Sequence, residues 1–173
     1  MRQRHAAAED SGPVIRVGLK RVNLDERVLG DAELRGCAFA RLIGDHSLRV
    51  LLSEANGRRF ADGARIFLQA DPGDSLVLLL KGEARLTQGA GAQSVDVAVV
   101  RKGELMGERE VAGESATRSY TATALGEVEL VEFPRSVVQS LAREHAGLAR
   151  HLREIGEARK TAGAEMTDFL NRW

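Results

Sequence analysis

Two dipeptides in one stretch carry the chemistry that this sequence offers most clearly. Gly107-Glu108 and Arg118-Ser119 lie within Leu105–Thr121, LMGEREVAGESATRSYT, with Arg118 ten positions after Glu108. The runs on either side read as β-strands. Backbone N–H groups at the start of a one- or two-turn helix favour a phosphate, and an arginine presents a matching fork of donors. Glu108 repels a phosphate but accepts a hydrogen bond from a sugar hydroxyl. The set therefore suits a sugar phosphate carrying one negative charge. Arg109 and Glu110, between the two pairs, are expected on the solvated face of the short helix, because charged side chains are seldom buried.

Other reactive residue types are sparse. Cys37 is the single cysteine, expected as a small buried apolar residue, and His46, His145 and His151 are isolated, which suits surface or capping roles. The strand-like runs contain no histidine, so a metal enzyme built on a β-roll is a poor reading, and no catalytic set is expected. The 25 basic residues balance the 25 acidic ones, giving no electrostatic footprint for DNA or an anionic membrane. Absence of a signal-like or spanning apolar run leads to the expectation of a soluble, cytoplasmic protein.

The elements that must position the two pairs follow from periodicity. Residues 1–13 are polar and alanine-rich, expected as a disordered leader. Residues 14–37 form an N-terminal arm, with a short strand over VIRVGLKRV and a helix over LDERVLGDAELRG interrupted at Gly30. Phe39 to Asn56 reads as helix, with a second helix capped by Asp45 or Ser47. From Arg58 to Leu130 the period becomes that of strands, punctuated at Gly63, Gly73, Gly82 and Gly89-Ala90-Gly91. Pro134 opens a helix with Val137, Val138 and Leu141 on its apolar side, and Glu144 to Leu170 reads as one long helix weakened by Gly156 and Gly163. The plan is mainly β with flanking helices: about eight strands in a double-stranded β-helix or jelly roll, an N-terminal helical segment and a long C-terminal helix. The roll is expected over 38–142 and the C-terminal helix over 143–173.

At this point the chain resembles the cyclic nucleotide-binding domain of the catabolite activator protein and of cAMP-dependent protein kinase regulatory subunits. FADGARIFLQADPGDSLVLLLKGEARL is similar to the family's first half, and KGELMGE to the strand and turn that introduce its phosphate-binding cassette. The resemblance implies that Glu108 accepts from the ribose 2′-hydroxyl, Arg118 binds the cyclic phosphate, Ser119 adds a hydroxyl, and Gly107 and the backbone that follows complete the cradle. It also implies a ligand, a cyclic mononucleotide, rather than a cofactor.

Two departures accompany the likeness. The family places apolar residues after the Gly-Glu pair, where Arg109 and Glu110 stand. Counted from Arg118, the helix positions that touch the purine in the activator fall on Gly163 and Ala164, which carry no hydroxyl. Thr161 and Thr167 are nearby hydroxyls expected in solvent, and Trp173 is expected to pack at the end of the helix. Within this sequence no DNA-reading helix-turn-helix follows. The expectation is a cyclic nucleotide sensor that switches its C-terminal helix or an attached effector, pairs as a homodimer through that helix, and binds no DNA itself. The competing expectation is a degenerate module of the same fold that docks or dimerises without ligand.

Overall fold

A computed structural model describes residues 21–172. The leader, most of the strand expected over 14–22, and Trp173 lie outside the described residues; within them, Arg21 and Val22 are helical. Three helices open the fold: α1 (Arg21–Leu29), α2 (Ala32–Gly36) and α3 (Ala38–Ser53). Gly30 ends α1 as expected, and the Asp31 carboxylate accepts from the Glu33 and Leu34 N–H groups to start α2. The break expected before Asp45 falls at Gly44, whose φ of 76° interrupts α3. Cys37, expected buried, is half-buried at the head of α3, because it lies beside Gly103 at the rim of the helical layer rather than under it.

Six strands follow: β1 (Asn56–Phe60), β2 (Arg65–Phe67), β3 (Ser75–Gln88), β4 (Val95–Val100), β5 (Leu105–Met106) and β6 (Thr121–Pro134). The order is β1-β6-β3-β4, with β2 also on β6 and β5 on β3. Among the described residues the expected eight becomes six: β3 runs 14 residues straight through Gly82, which reads as a turn in sequence, and β6 runs 14 residues through Gly126. Their antiparallel pairing, Ser75↔Pro134 to Thr87↔Thr121, shifts register around Lys81 and bends instead of ending.

The apolar run Leu76–Leu80 is buried on both faces. Leu76, Leu78 and Leu80 face the helices, among Phe39, Leu48, Phe133, Val138 and Leu152, while Val77 and Leu79 face the roll interior with Phe60, Met106 and Leu130. Beyond β5 come α4 (Glu108–Val111), α5 (Arg135–Glu144) and α6 (Ala146–Asn171). Leu148 and Leu152 bury one face of α6. Gly156 and Gly163, read in sequence as weak points, are where α6 approaches the roll: a Cβ at 156 would lie 3.0 Å from Arg109 Cγ, and one at 163 would lie 2.8 Å from Gln88 Oε1.

Gly82 tests the bend in β3. Its φ is 81°, and a Cβ there would sit 2.3 Å from the Glu127 carbonyl oxygen; Gly63, with φ of 75°, has open space around it. Gly63→Ala is expected to cost about 1–2 kcal/mol from left-handed strain alone. Gly82→Ala should cost more, because backbone must move. Urea midpoints of the two variants measure the difference, and equal midpoints would show that β3 does not depend on this close approach.

Candidate functional site

The turn from β5 into α4 places the first pair. Gly107 takes a φ of 79° at the head of α4, a conformation that lets the chain turn directly from strand to helix. The Leu105 and Met106 side chains before it are buried, and Val111 after it enters the helical core, so α4 is pinned at both ends. The second pair sits at the entry to β6, where Arg118 N donates to Asp71 O at 2.7 Å and Gly73 N to Ala116 O at 3.0 Å.

Glu108 is 1% exposed. Its Oε2 accepts from Arg159 Nη1 of α6 at 2.7 Å, and its Oε1 is buried without a partner. Burial pushes this carboxyl above the ordinary carboxylate range, with the Arg159 charge opposing the rise. Arg118 is 5% exposed: Nη1 donates to Ser75 O at 2.7 Å and to Glu110 Oε2 at 3.3 Å, Nη2 donates to Ser75 Oγ at 2.8 Å, and the guanidinium lies 4.3 Å from the Phe67 ring centre. Ser119 donates through both N–H and Oγ to Glu110 Oε1, at 3.0 and 2.9 Å.

Glu110 therefore departs most from the sequence reading. Expected in solvent, it is 2% exposed and holds Arg118 and Ser119. A four-residue helix clamped between β5 and α6 has little outer face, and an arginine was at hand to compensate the burial. Arg109 also turns inward, packing against Gly156 and pairing with Glu114 at 3.2 Å.

A cavity of about 1030 Å³ lies between the roll and the outer half of α6. Arg109, Tyr120, Gln88, Lys160 and Thr167 line it, together with Gly163 and Ala164. Of the four residues picked from sequence, Gly107, Glu108, Arg118 and Ser119, none lines it. Their chain neighbours Arg109 and Tyr120 do. Arg118 instead borders a second hollow of about 440 Å³ with Arg58, Phe67 and Glu132. Thr167 is exposed, as expected, and its hydroxyl donates to Gly163 O at 2.8 Å at the cavity wall. Sequence reasoning missed Glu110, Tyr120 and Arg159; the only signal for the first was a charge where the family is apolar. Among the described residues no group of three or more His, Cys, Asp or Glu is placed to hold a metal, and no helix is long and apolar enough to cross a membrane.

The cyclic nucleotide-binding domain model matches residues 57–145, more than half of the chain, and the chain belongs to that family. Over 101 residues, 58% of the chain, it is 38% identical to lysophospholipase nte1 of Neurospora crassa, and the match covers 7% of that protein. The chain thus spans less than a tenth of the length of the curated relatives it matches. The catabolite activator protein of Thermus thermophilus superposes over 74% of this chain and 60% of its own, at 30% identity and a TM-score of 0.56. The regulatory subunit of a cAMP-independent protein kinase A from Trypanosoma brucei superposes over 84% of this chain and 52% of its own, at 14% identity and a TM-score of 0.70, a likeness of fold alone.

The Glu108–Arg159 pair makes one contribution to stability depend on pH. Arg159→Ala leaves Glu108 buried with no cation, a change that costs about 3–5 kcal/mol for a buried pair. Glu108 binds its proton more tightly folded than unfolded, so stability falls as pH rises through the window above its unfolded value. Loss of Arg159 raises the folded value further, so the destabilisation should be largest near neutrality and shrink toward acidic pH. Urea titrations of both proteins across that range would show this, and a pH-independent loss would place Glu108 in water instead.

Proposed function

We propose that the chain is the regulatory domain of a larger protein and receives a cyclic mononucleotide between its cassette and α6 by exchange of internal partners. The observation that carries this reading is the Glu108–Arg159 bridge at 2.7 Å, which ties the residue assigned to the ribose hydroxyl directly to α6. A ligand hydroxyl that takes Glu108 as its acceptor competes with Arg159, so occupancy of the cassette shifts the position of α6. The ligand shifts the population only by as much as it prefers the exchanged state. Family membership supports the ligand class, and the small share of nte1 that the chain spans supports a part within a longer protein. The proposal is regulation rather than catalysis, in a cytoplasmic setting. Met166, Phe169 and Leu170 expose apolar surface at the end of α6, which suits passing the signal to a second copy or an effector.

Calorimetric titration of the protein with cAMP, cGMP, cCMP and cUMP tests the proposal. At least one should bind saturably, and Arg118→Ala should weaken it about tenfold or more, the loss of charge-assisted hydrogen bonds. Absence of binding by all four overturns it.

One observation favours a second reading, a docking module that works without ligand. Glu108, Arg118 and Ser119 each already hold a protein partner. The similar fold of a cAMP-independent kinase subunit is compatible with this reading. A ligand at a hundred times its dissociation constant stabilises by about 2.7 kcal/mol, so a flat thermal melt with every cyclic nucleotide supports docking.

A further inference from the structure

We propose that Glu110 is an internal anion that occupies the phosphate position of the cassette and thereby determines which ligands the domain accepts. The inference rests on reading Arg118 and Ser119 as an anion cradle. Three donors converge on this one carboxylate: Ser119 N at 3.0 Å and Ser119 Oγ at 2.9 Å on Oε1, and Arg118 Nη1 at 3.3 Å on Oε2. A guanidinium, a hydroxyl and a backbone N–H are the donor set that a phosphate oxygen requires. Here all three are spent on a carboxylate supplied two residues after Glu108.

The surroundings are shaped for this occupant. A Cβ at Gly73 would lie 2.3 Å from Glu110 Cγ, and a Cβ at Gly107 would lie 2.3 Å from Arg118 Nη1. The space that both side chains fill therefore comes from two missing methyl groups. The loop carrying Gly73 is fastened to the strand entry by the Arg118 N–Asp71 O and Gly73 N–Ala116 O hydrogen bonds, so it cannot withdraw without opening the turn before β6. Ser75 holds the far side of the guanidinium through its carbonyl and hydroxyl.

An entering phosphate meets a site whose positive charge is already neutralised out of water. It must either share Arg118 with a carboxylate, placing two negative charges side by side, or expel Glu110 from its pocket. Both outcomes lower affinity for anionic ligands relative to neutral ones. Glu110 is thus a specificity-determining residue, and the apolar-to-charged departure seen in sequence acquires a physical consequence.

Inorganic phosphate is the direct probe, because it tests the cradle without a base or sugar. Thermal unfolding and calorimetric titration with phosphate, against chloride at equal ionic strength, are run on the wild type, Glu110→Ala, Glu110→Gln, Arg118→Ala and the double variant Glu110→Ala/Arg118→Ala. Phosphate should leave the wild-type melting temperature unchanged and raise that of Glu110→Ala. Its affinity should be about tenfold or more tighter in the single variant, as expected for removal of a like charge, and the double variant should lose the gain. If Glu110→Ala does not fold, the isosteric Glu110→Gln carries the test, with a smaller gain in the same direction. Folded variants with no gain, or wild-type phosphate binding that Arg118→Ala abolishes, overturn the proposal. Failure of the cyclic nucleotide reading looks different: no nucleotide binds the wild type or Glu110→Ala, while phosphate still binds the variant.

Discussion

Two carboxylates on a single helical turn, both out of water, constrain everything around the cassette. An ionised carboxylate moved from water into a protein interior costs several kcal/mol unless a cation and hydrogen bonds accompany it. Glu108 and Glu110 lie in the same four-residue helix, so they cannot share one compensating group without crowding. Each draws its cation from a different part of the chain: Arg118 from the entry to β6 for Glu110, and Arg159 from the middle of α6 for Glu108. The sheet and the long helix are thereby tied to the same turn by opposite sides.

Those ties work because apolar packing delivers the partners to within reach. Leu76, Leu78 and Leu80 send one face of β3 to the helices while Val77 and Leu79 send the other into the roll, so the strand that carries Ser75 is fixed from both directions. Val111 anchors the end of α4 among the helices, and Gly156 lets α6 come close enough for Arg159 to reach Glu108. The burial of carbon supplies the positions; the ion pairs select one arrangement of them.

The cavity under α6 and the polar cradle are consequently separate places in this structure. Tyr120 and Arg109 face the cavity, whereas Arg118 and Ser119 face the Glu110 carboxylate. The split runs between chain neighbours: Ser119 is held by Glu110 while Tyr120 lines the cavity, and Glu108 is held by Arg159 while Arg109 lines the cavity. A site assembled on such short elements is set by which of two neighbouring side chains turns inward.

The β-sheet between helices, the apolar side of the last helices and the family likeness were legible in the residues themselves. Period, turn glycines and motif spacing are local properties, and local sequence states them. Three other features were not legible. β3 continues through Gly82 because its pairing with β6 outlasts a glycine that looks like a turn. Gly163 and Gly156 read as weak points of the last helix but serve as points of close approach. Glu110 looked like a solvated charge, since nothing within four residues reveals that α4 is covered on both sides or that Gly73, 37 positions earlier, leaves room for its side chain. What the sequence determined by itself was which groups are present; which of them meet was decided only by tertiary structure, because the cost of a buried charge depends on neighbours that are distant in the chain.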